Sequence, residues 1–501
     1  MAARGQVHSL THSLTMASTA YHVAIKSFKG RLIAPYQNRG VAWMVGREFS
    51  TGSVKGGMLC DEMGLGKTAQ MIATVLGNPG HKTLIVAPKS VVGQWVGELA
   101  RWAPHLKVGI WDSSRPSLAP YDVVLSTYGM TMNRQDFESL TPLHRVKWGR
   151  IILDEAHEIR NKRSKTHGSI IRIQAPIRWV LSGTPVFNSI SDFVSLGEFI
   201  GIPGRYVQAD PSSVRESYVL RRTKADVSEH NARLALPRCE FDNVELDMYP
   251  EERCVYEEAY TCARDYIIEA GRSENVAAFN MNIMEHLLRV RQTMIHPQVY
   301  YHGIKTKEGG DGERFTGTSR KFEYLNDSVR SHPKENTLIF CQFKQEMLLI
   351  CKMFEDLPSI YLLDGSVSAD LRENNIRKFN AHPGGAIFVI QIKAGGVGLN
   401  LQSATRVYLM APSWNPATEL QAIGRAHRTG QTKQVFVKKL IYAVDEDTPS
   451  VEQSMVALQT GKAKISAEVL NDPRIEKDIP PPKRMTAGIR DIKRLFSRKI
   501  S

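Results

Sequence analysis

Short apolar runs that break off in polar or glycine-containing signatures recur through the first half of the chain. Thr83-Leu84-Ile85-Val86 runs into Ala87-Pro88-Lys89, and Asp122-Val123-Val124-Leu125 into Ser126-Thr127-Tyr128. Arg150-Ile151-Ile152-Leu153 runs into Asp154-Glu155-Ala156-His157, and Arg178-Trp179-Val180-Leu181 into Ser182-Gly183-Thr184-Pro185. The intervals leave room for helices, which predicts a parallel sheet wound on both faces. From about residue 246 to 300 the pattern changes to helical periodicity, with long helices expected over Glu251–Ala270 and Met281–Met294. Gly303–Gly317, rich in glycine and charge, reads as a loop or linker. From about residue 320 a second strand series begins: Thr337–Phe340, Ile360–Leu363, Ala386–Ile390 and Arg406–Met410. The fold class is therefore α/β, two tandem units with a helical insertion between them.

Length and charge refine this picture. A chain of 501 residues suits about three domain-sized pieces. It has no apolar run long enough to span a bilayer, so no membrane association is expected. The polar N-terminus lacks the apolar core of a secretory signal, and residues 1–28 read as a disordered extension. A net charge of +14 favours a polyanionic partner. The six cysteines form no C-x-x-C pair, so neither zinc nor a disulfide framework is expected. Pro480-Pro481-Pro482 introduces a basic tail, a short amphipathic helix or a disordered segment.

Candidate chemistry begins at Asp61-Glu62-Met63-Gly64-Leu65-Gly66-Lys67-Thr68. Glycines let backbone N–H groups turn onto phosphate oxygens, Lys67 offers charge to the β/γ-phosphates, and Thr68 offers a hydroxyl to Mg²⁺. Asp61 stands where the strict phosphate-loop pattern has glycine. Asp154-Glu155 sits at the carboxyl end of a predicted buried strand, where α/β sheets bind ligands. Asp154 is expected to hold Mg²⁺ and Glu155 to activate water. In the second half, Arg425 and Arg428 stand three apart in Gln421-Ala422-Ile423-Gly424-Arg425-Ala426-His427-Arg428-Thr429-Gly430-Gln431, hence on one face of a helix. Arginine, always charged and with paired donors, suits a phosphoryl group under attack. Lys393-Ala394-Gly395-Gly396-Val397-Gly398 follows a strand, and its glycines permit close backbone approach.

In this order, with Gln37 ahead and Gln342 between the halves, the motifs resemble those of superfamily-two helicase-like ATPases. The spellings are closer still to the Swi/Snf-type DNA translocases. They include Leu181-Ser182-Gly183-Thr184-Pro185, Leu220-Arg221-Arg222-Thr223-Lys224, Ile339-Phe340-Cys341-Gln342-Phe343 and Pro412-Ser413-Trp414-Asn415-Pro416. Trp43-Met44, Arg47-Glu48 and Arg289-Val290-Arg291-Gln292 resemble the Rad-type subgroup, without the cysteine pairs of its RING finger. The resemblance covers about residues 29 to 465.

It implies two RecA-like lobes, at 29–245 and 319–470, with a helical protrusion and linker at 246–318 and a basic tail at 471–501. The implied ligands are ATP and Mg²⁺. Gln37, Asp61, Met63, Gly64, Gly66, Lys67, Thr68 and Gly398 correspond to nucleotide-binding positions, with Gln37 reading adenine. Ser182, Thr184 and Gln421 correspond to positions that couple ATP state to DNA grip, and Arg425 and Arg428 to the arginine fingers. Lys89, Ser90, Thr127, Arg160, Asn161, Lys162, Gln342, Lys393, Trp414 and Asn415 correspond to contacts with the backbone of double-stranded DNA. The expected activity is duplex translocation that remodels protein–DNA complexes such as nucleosomes or a stalled polymerase. A strand-separating helicase and a non-catalytic nucleic-acid scaffold are the alternatives. The expected location is nuclear, or cytoplasmic for a viral or bacterial protein.

Overall fold

The computed structural model describes residues 2–32, 35–112, 117–133, 136, 139–183, 190–230, 236–270, 276–308, 314–395, 399–428, 430–444 and 449–470. The expectations for Thr184, for Gly398 and for the tail at 471–501 lie outside them. The chain divides into two units, one over Met1–Ala235, the other over Leu236–Lys464.

The first unit holds strands β1 (Lys55–Leu59), β2 (Thr83–Ala87), β3 (Val108–Ile110), β4 (Val123–Thr127), β5 (Arg150–Asp154), β6 (Ile177–Leu181) and β7 (Val219–Leu220). They pair in parallel in the order β3-β4-β2-β5-β6-β1-β7. β2 and β5 are buried along their whole length, which is why they read as unbroken apolar runs rather than as alternating strands. The exception is Arg150, fully buried on β5, whose guanidinium forms a forked pair with Glu48 at 2.7 and 2.6 Å. Trp179 Nε1 donates to the same carboxylate at 2.9 Å. A buried pair persists when such extra donors satisfy its remaining lone pairs.

Helices α1 (Ala2–Ser27), α2 (Tyr36–Glu48), α3 (Lys67–Gly77) and α4 (Lys89–Trp102) belong to this unit. The segment 1–28, expected to lack regular structure, is helical from Ala2. Ala20 and Ala24 are buried, and a Cβ on Gly77 would lie only 3.0 Å from the Ala24 Cβ. Small residues on both sides let α1 settle on α3, a tertiary contact with no local signature. Phe28 then stacks on Trp102, centroids 4.9 Å apart.

The second unit has six parallel strands: β8 (Cys239–Asp247), β9 (Asn336–Cys341), β10 (Ile360–Leu363), β11 (Ile387–Gln391), β12 (Ala404–Leu409) and β13 (Val435–Ala443), in the order β10-β11-β9-β12-β13-β8. Side-chain alternation gives the sheet two cores: Leu338 and Phe340 face one, Ile339 and Cys341 the other.

Two boundaries differ from the sequence reading. β8 straddles residue 245, the expected end of the first lobe, because it pairs with β13 along its length. The helices Pro250–Ala270, Val276–Thr293 and Pro297–Glu308 bury Tyr256, Tyr260, Leu287, Val290 and Val299 in the same core as Ile339, Val389 and Tyr408. They pack on the second sheet rather than standing apart, and the last of them occupies the start of the expected linker. No described helix is long and apolar enough to cross a membrane.

Candidate nucleotide and nucleic-acid sites

The register of the first sheet brings the motifs together. Leu59 pairs with Leu181, Leu181 with Asp154, Val86 with Leu153, and Ala87 with Thr127. The segments starting at Cys60, Pro88, Tyr128, Glu155 and Ser182 therefore all leave the same edge of the sheet, its carboxyl edge.

The loop after β1 turns at Gly64 (φ 91°) and Gly66 (φ 74°), left-handed conformations that glycine adopts without a Cβ penalty. A Cβ on Gly66 would also collide with the Gln37 amide. No side chain caps the start of α3, so its first N–H groups and helix dipole are available to an anion. Lys67 and Thr68 form that first turn, both half-buried. Lys67 Nζ donates to the Asp61 carbonyl at 2.8 Å. Gln37 Nε2 donates to the Leu65 carbonyl at 3.2 Å, and the Tyr36 hydroxyl to the same oxygen at 3.0 Å.

Asp61 corrects an expectation. Its side chain is fully buried, and its carboxylate accepts from Arg222 Nε at 2.9 Å, from Arg222 Nη2, and from Gln70 Nε2 at 3.1 Å. A carboxylate so committed braces the loop instead of facing a ligand. Lys224 Nζ pairs with Glu62 at 3.0 Å beside it, and Glu62 N donates to the Arg222 carbonyl at 2.8 Å. The Arg221–Lys224 block thus acts on the phosphate loop itself, a role sequence alone did not assign.

Asp154 ends β5. Its Oδ2 accepts from Trp95 Nε1 at 2.7 Å, its Oδ1 from Glu155 N at 3.0 Å, and its carbonyl from the Tyr128 hydroxyl at 2.7 Å. Burial, with the Glu155 charge second, lifts its carboxyl to about 6, against the pull of Trp95, Lys67 and the Glu155 N–H. Trp95 and Tyr128 are the neighbours that the sequence reading missed, since no local pattern marks a hydrogen bond across 59 residues. Glu155 is the one described non-glycine residue with positive φ, 48°. That conformation costs roughly 1–2 kcal/mol, and such strain gathers at functional sites. Ser182 is buried, and a Cβ on Gly183 would lie 3.0 Å from Met63 Cγ and 3.6 Å from Lys67 Nζ. The motif after β6 therefore abuts the phosphate loop.

The oxygen donors of Asp154 and Thr68 fit Mg²⁺, a hard cation usually held by one or two carboxylates plus substrate phosphates. Among the described residues no group of three His, Cys, Asp or Glu is placed to hold a metal ion.

Along the same edge, Lys89 and Ser90 are exposed in the first turn of α4, and Thr127 is half-buried. Asn161 and Lys162 are exposed and Arg160 is half-buried; Lys162 Nζ pairs with Glu198 at 2.7 Å.

In the second unit, Gln342 follows β9 and donates to Ser413 Oγ at 3.3 Å, which ties it to the Pro412–Asn415 loop. Asn415 caps the helix Pro416–Ile423, accepting from Ala417 N at 3.1 Å, and Trp414 lies under Arg291. Lys393 is exposed in the short helix Ile392–Gly395. Gln421 is half-buried on Pro416–Ile423. Arg425 and Arg428 do not share a helical face, because that helix ends at Ile423 with Gly424 as its cap. They lie in the tight turns beyond, with Arg425 buried and Arg428 donating to the Leu399 carbonyl at 3.2 Å. The buried Gln431 amide clasps those turns through the carbonyls of Gln402, Ala404 and Ala426 at 2.9, 3.1 and 3.1 Å.

Family models agree with both halves. The SNF2-related domain matches residues 36–211, and the Helicase conserved C-terminal domain matches residues 320–430. The chain belongs to the SNF2-related, helicase-like ATPase family. The Bacillus subtilis protein YwqA, named for an ATP-dependent helicase/translocase, is 32% identical over 93% of this chain and 52% of its own. Human DNA excision repair protein ERCC-6 is 27% identical over 90% of this chain and 33% of its own. This SNF2-related chain thus spans about half of the first relative and a third of the second. Among solved structures, the Sulfolobus solfataricus SWI2/SNF2 ATPase core in complex with dsDNA is 26% identical, over 90% of this chain and 97% of that one, with a TM-score of 0.39.

Proposed function

We propose that this SNF2-related ATPase translocates along double-stranded DNA and remodels protein–DNA complexes. The observation that carries the reading is the shared carboxyl edge of the first sheet. Lys67, Asp154, Glu155 and Gly183 converge there, and the exposed Lys89–Ser90 turn leaves the same edge.

In this reading the α3 N-terminus and Lys67 bind the β- and γ-phosphates, and Gln37 reads adenine. Asp154 and Thr68 hold Mg²⁺, which when bound neutralises charge on the phosphate oxygens. Glu155 orients the attacking water and accepts its proton. Arg425 and Arg428 bring fixed positive charge to the transferred phosphoryl, an effect of about 10³–10⁵ in related chemistry. Ser182 and Thr184 link nucleotide state to DNA grip, as does Gln421. Lys89, Ser90, Thr127, Arg160, Asn161, Lys162, Gln342, Lys393, Trp414 and Asn415 hold phosphates of one strand. Such contacts position the protein without reading sequence, and the net charge of +14 supports a polyanionic track.

The test is steady-state ATP hydrolysis without nucleic acid and with single-stranded DNA, duplex DNA or duplex RNA, at two salt concentrations. Duplex DNA is expected to stimulate turnover, with a steep fall as salt rises. Stimulation confined to single strands or RNA, together with unwinding of a forked duplex, would replace translocation by strand separation. Indifference to every nucleic acid would sink the substrate assignment.

A further inference from the structure

Two segments hold Asp154 from outside its own strand, and both begin at residues assigned above to DNA phosphates. Lys89 and Ser90 open α4, and Trp95, further along that helix, donates to Asp154 Oδ2 at 2.7 Å. Thr127 ends β4, and the next residue, Tyr128, donates to the Asp154 carbonyl at 2.7 Å. Trp95 and Tyr128 are buried, at 1% and 6% exposure, so each donor has little water to turn to if its bond lengthens. An unmade buried hydrogen bond of this kind is costly, more so when one partner is a carboxylate.

We propose that Trp95 and Tyr128 are positioning residues that transmit DNA occupancy to the metal-holding aspartate. Phosphates seated on Lys89, Ser90 and Thr127 shift α4 and the end of β4. The indole N–H and phenol O–H then re-aim the Asp154 carboxylate and the strand end that carries it. The path is continuous: one helix from Lys89 to Trp95 and one peptide link from Thr127 to Tyr128. The free energy available is the differential contact each donor makes in the two states. Trp95 acts on the carboxylate and Tyr128 on the backbone beneath it, so their losses read out differently.

The proposal rests on the translocase reading, and its test separates the two. ATP turnover of the full chain is measured with and without saturating duplex DNA, across a Mg²⁺ titration, for the parent, Trp95→Phe and Tyr128→Phe. DNA affinity and ADP affinity are measured alongside. Tyr128→Phe removes one hydroxyl and keeps the ring, which guards against a result that is only misfolding. The ratio of DNA-stimulated to basal kcat is expected to fall about tenfold in each variant, the effect of one such bond. DNA affinity should stay within about twofold. Only Trp95→Phe should raise the half-saturating Mg²⁺ concentration. Stimulation ratios equal to the parent's, or equal losses of basal and stimulated turnover, overturn the coupling alone. A parent whose turnover ignores DNA overturns the translocase reading and the coupling with it.

Discussion

The two units place charged groups at the carboxyl edges of parallel sheets, but they hold them differently. In the first unit the reactive groups sit under tension. Glu155 is in a left-handed conformation, Asp154 is a buried carboxyl lifted to about 6, and Lys67 reaches back to a loop carbonyl. In the second unit the turns stand on buried ion pairs. Lys439 Nζ meets Glu419 at 2.8 Å and Gln459 Oε1 at 3.1 Å, and Glu419 Oε1 accepts from Ser413 N at 2.6 Å. Lys321 Nζ meets Glu452 at 2.7 and 2.9 Å and the Met410 carbonyl at 2.9 Å. In the first unit the groups gather at the sheet's carboxyl edge, around one residue held in a left-handed turn. In the second unit buried ion pairs brace the turns from beneath.

That contrast breaks most sharply at Lys67. Lys67→Ala should lower kcat by about 10³, comparable to losing a main transition-state donor, while the thermal unfolding profile stays close to the parent's. Steady-state turnover and calorimetry check both halves.

The reverse is expected beneath the second unit. Lys439→Met leaves Glu419 buried without its cation and should cost about 3–5 kcal/mol. Chemical denaturation reads the loss, and nucleotide affinity should be spared.

Glu346 sharpens the comparison through pH. Burial lifts its carboxyl to about 7, although Phe343 N, Gln342 N, Lys321 and Arg291 favour the charged form. Its folded value lies above the usual carboxylate range, so the folded state binds more protons and its stability falls as pH rises from about 4.5 to 7. The loss should approach a few kcal/mol, because each tenfold difference in proton affinity between the folded and unfolded chain is worth about 1.4 kcal/mol. Between pH 5 and 8 the denaturation midpoint should fall further in the parent than in Glu346→Gln, where the raised Asp154 carboxyl still contributes.

The smallest effect concerns strain. Glu155→Gln and Glu155→Gly should both lose about 10²-fold or more in turnover, as expected for a general base. The glycine variant should be the more stable of the two by about 1 kcal/mol, because it relieves the left-handed residue. Equal stabilities would show that the turn is not strained.

Much of this was legible in the sequence because it is local. Buried parallel strands announce themselves as unbroken apolar runs, as in Thr83–Val86 and Thr337–Phe340. Phosphate-loop glycines and the acidic pair at the end of β5 are spelled by their neighbours. The arginine segment misled, because a spacing of three suits a helix while Gly424 ends this one. The 1–28 segment misled for another reason: its helix is polar by composition, and it packs through two alanines onto a distant glycine.

The sequence by itself determined the tandem α/β units, the strand ends where chemistry gathers, and the family, since these depend on periodicity and on short ordered motifs. Only the tertiary structure decided that Asp61 faces inward to Arg222, that Trp95 and Tyr128 hold Asp154, and that β8 belongs to the second sheet. Those depend on which groups meet across tens to hundreds of residues. Once water is excluded, each buried donor or acceptor must find its partner wherever the packing brings one within reach.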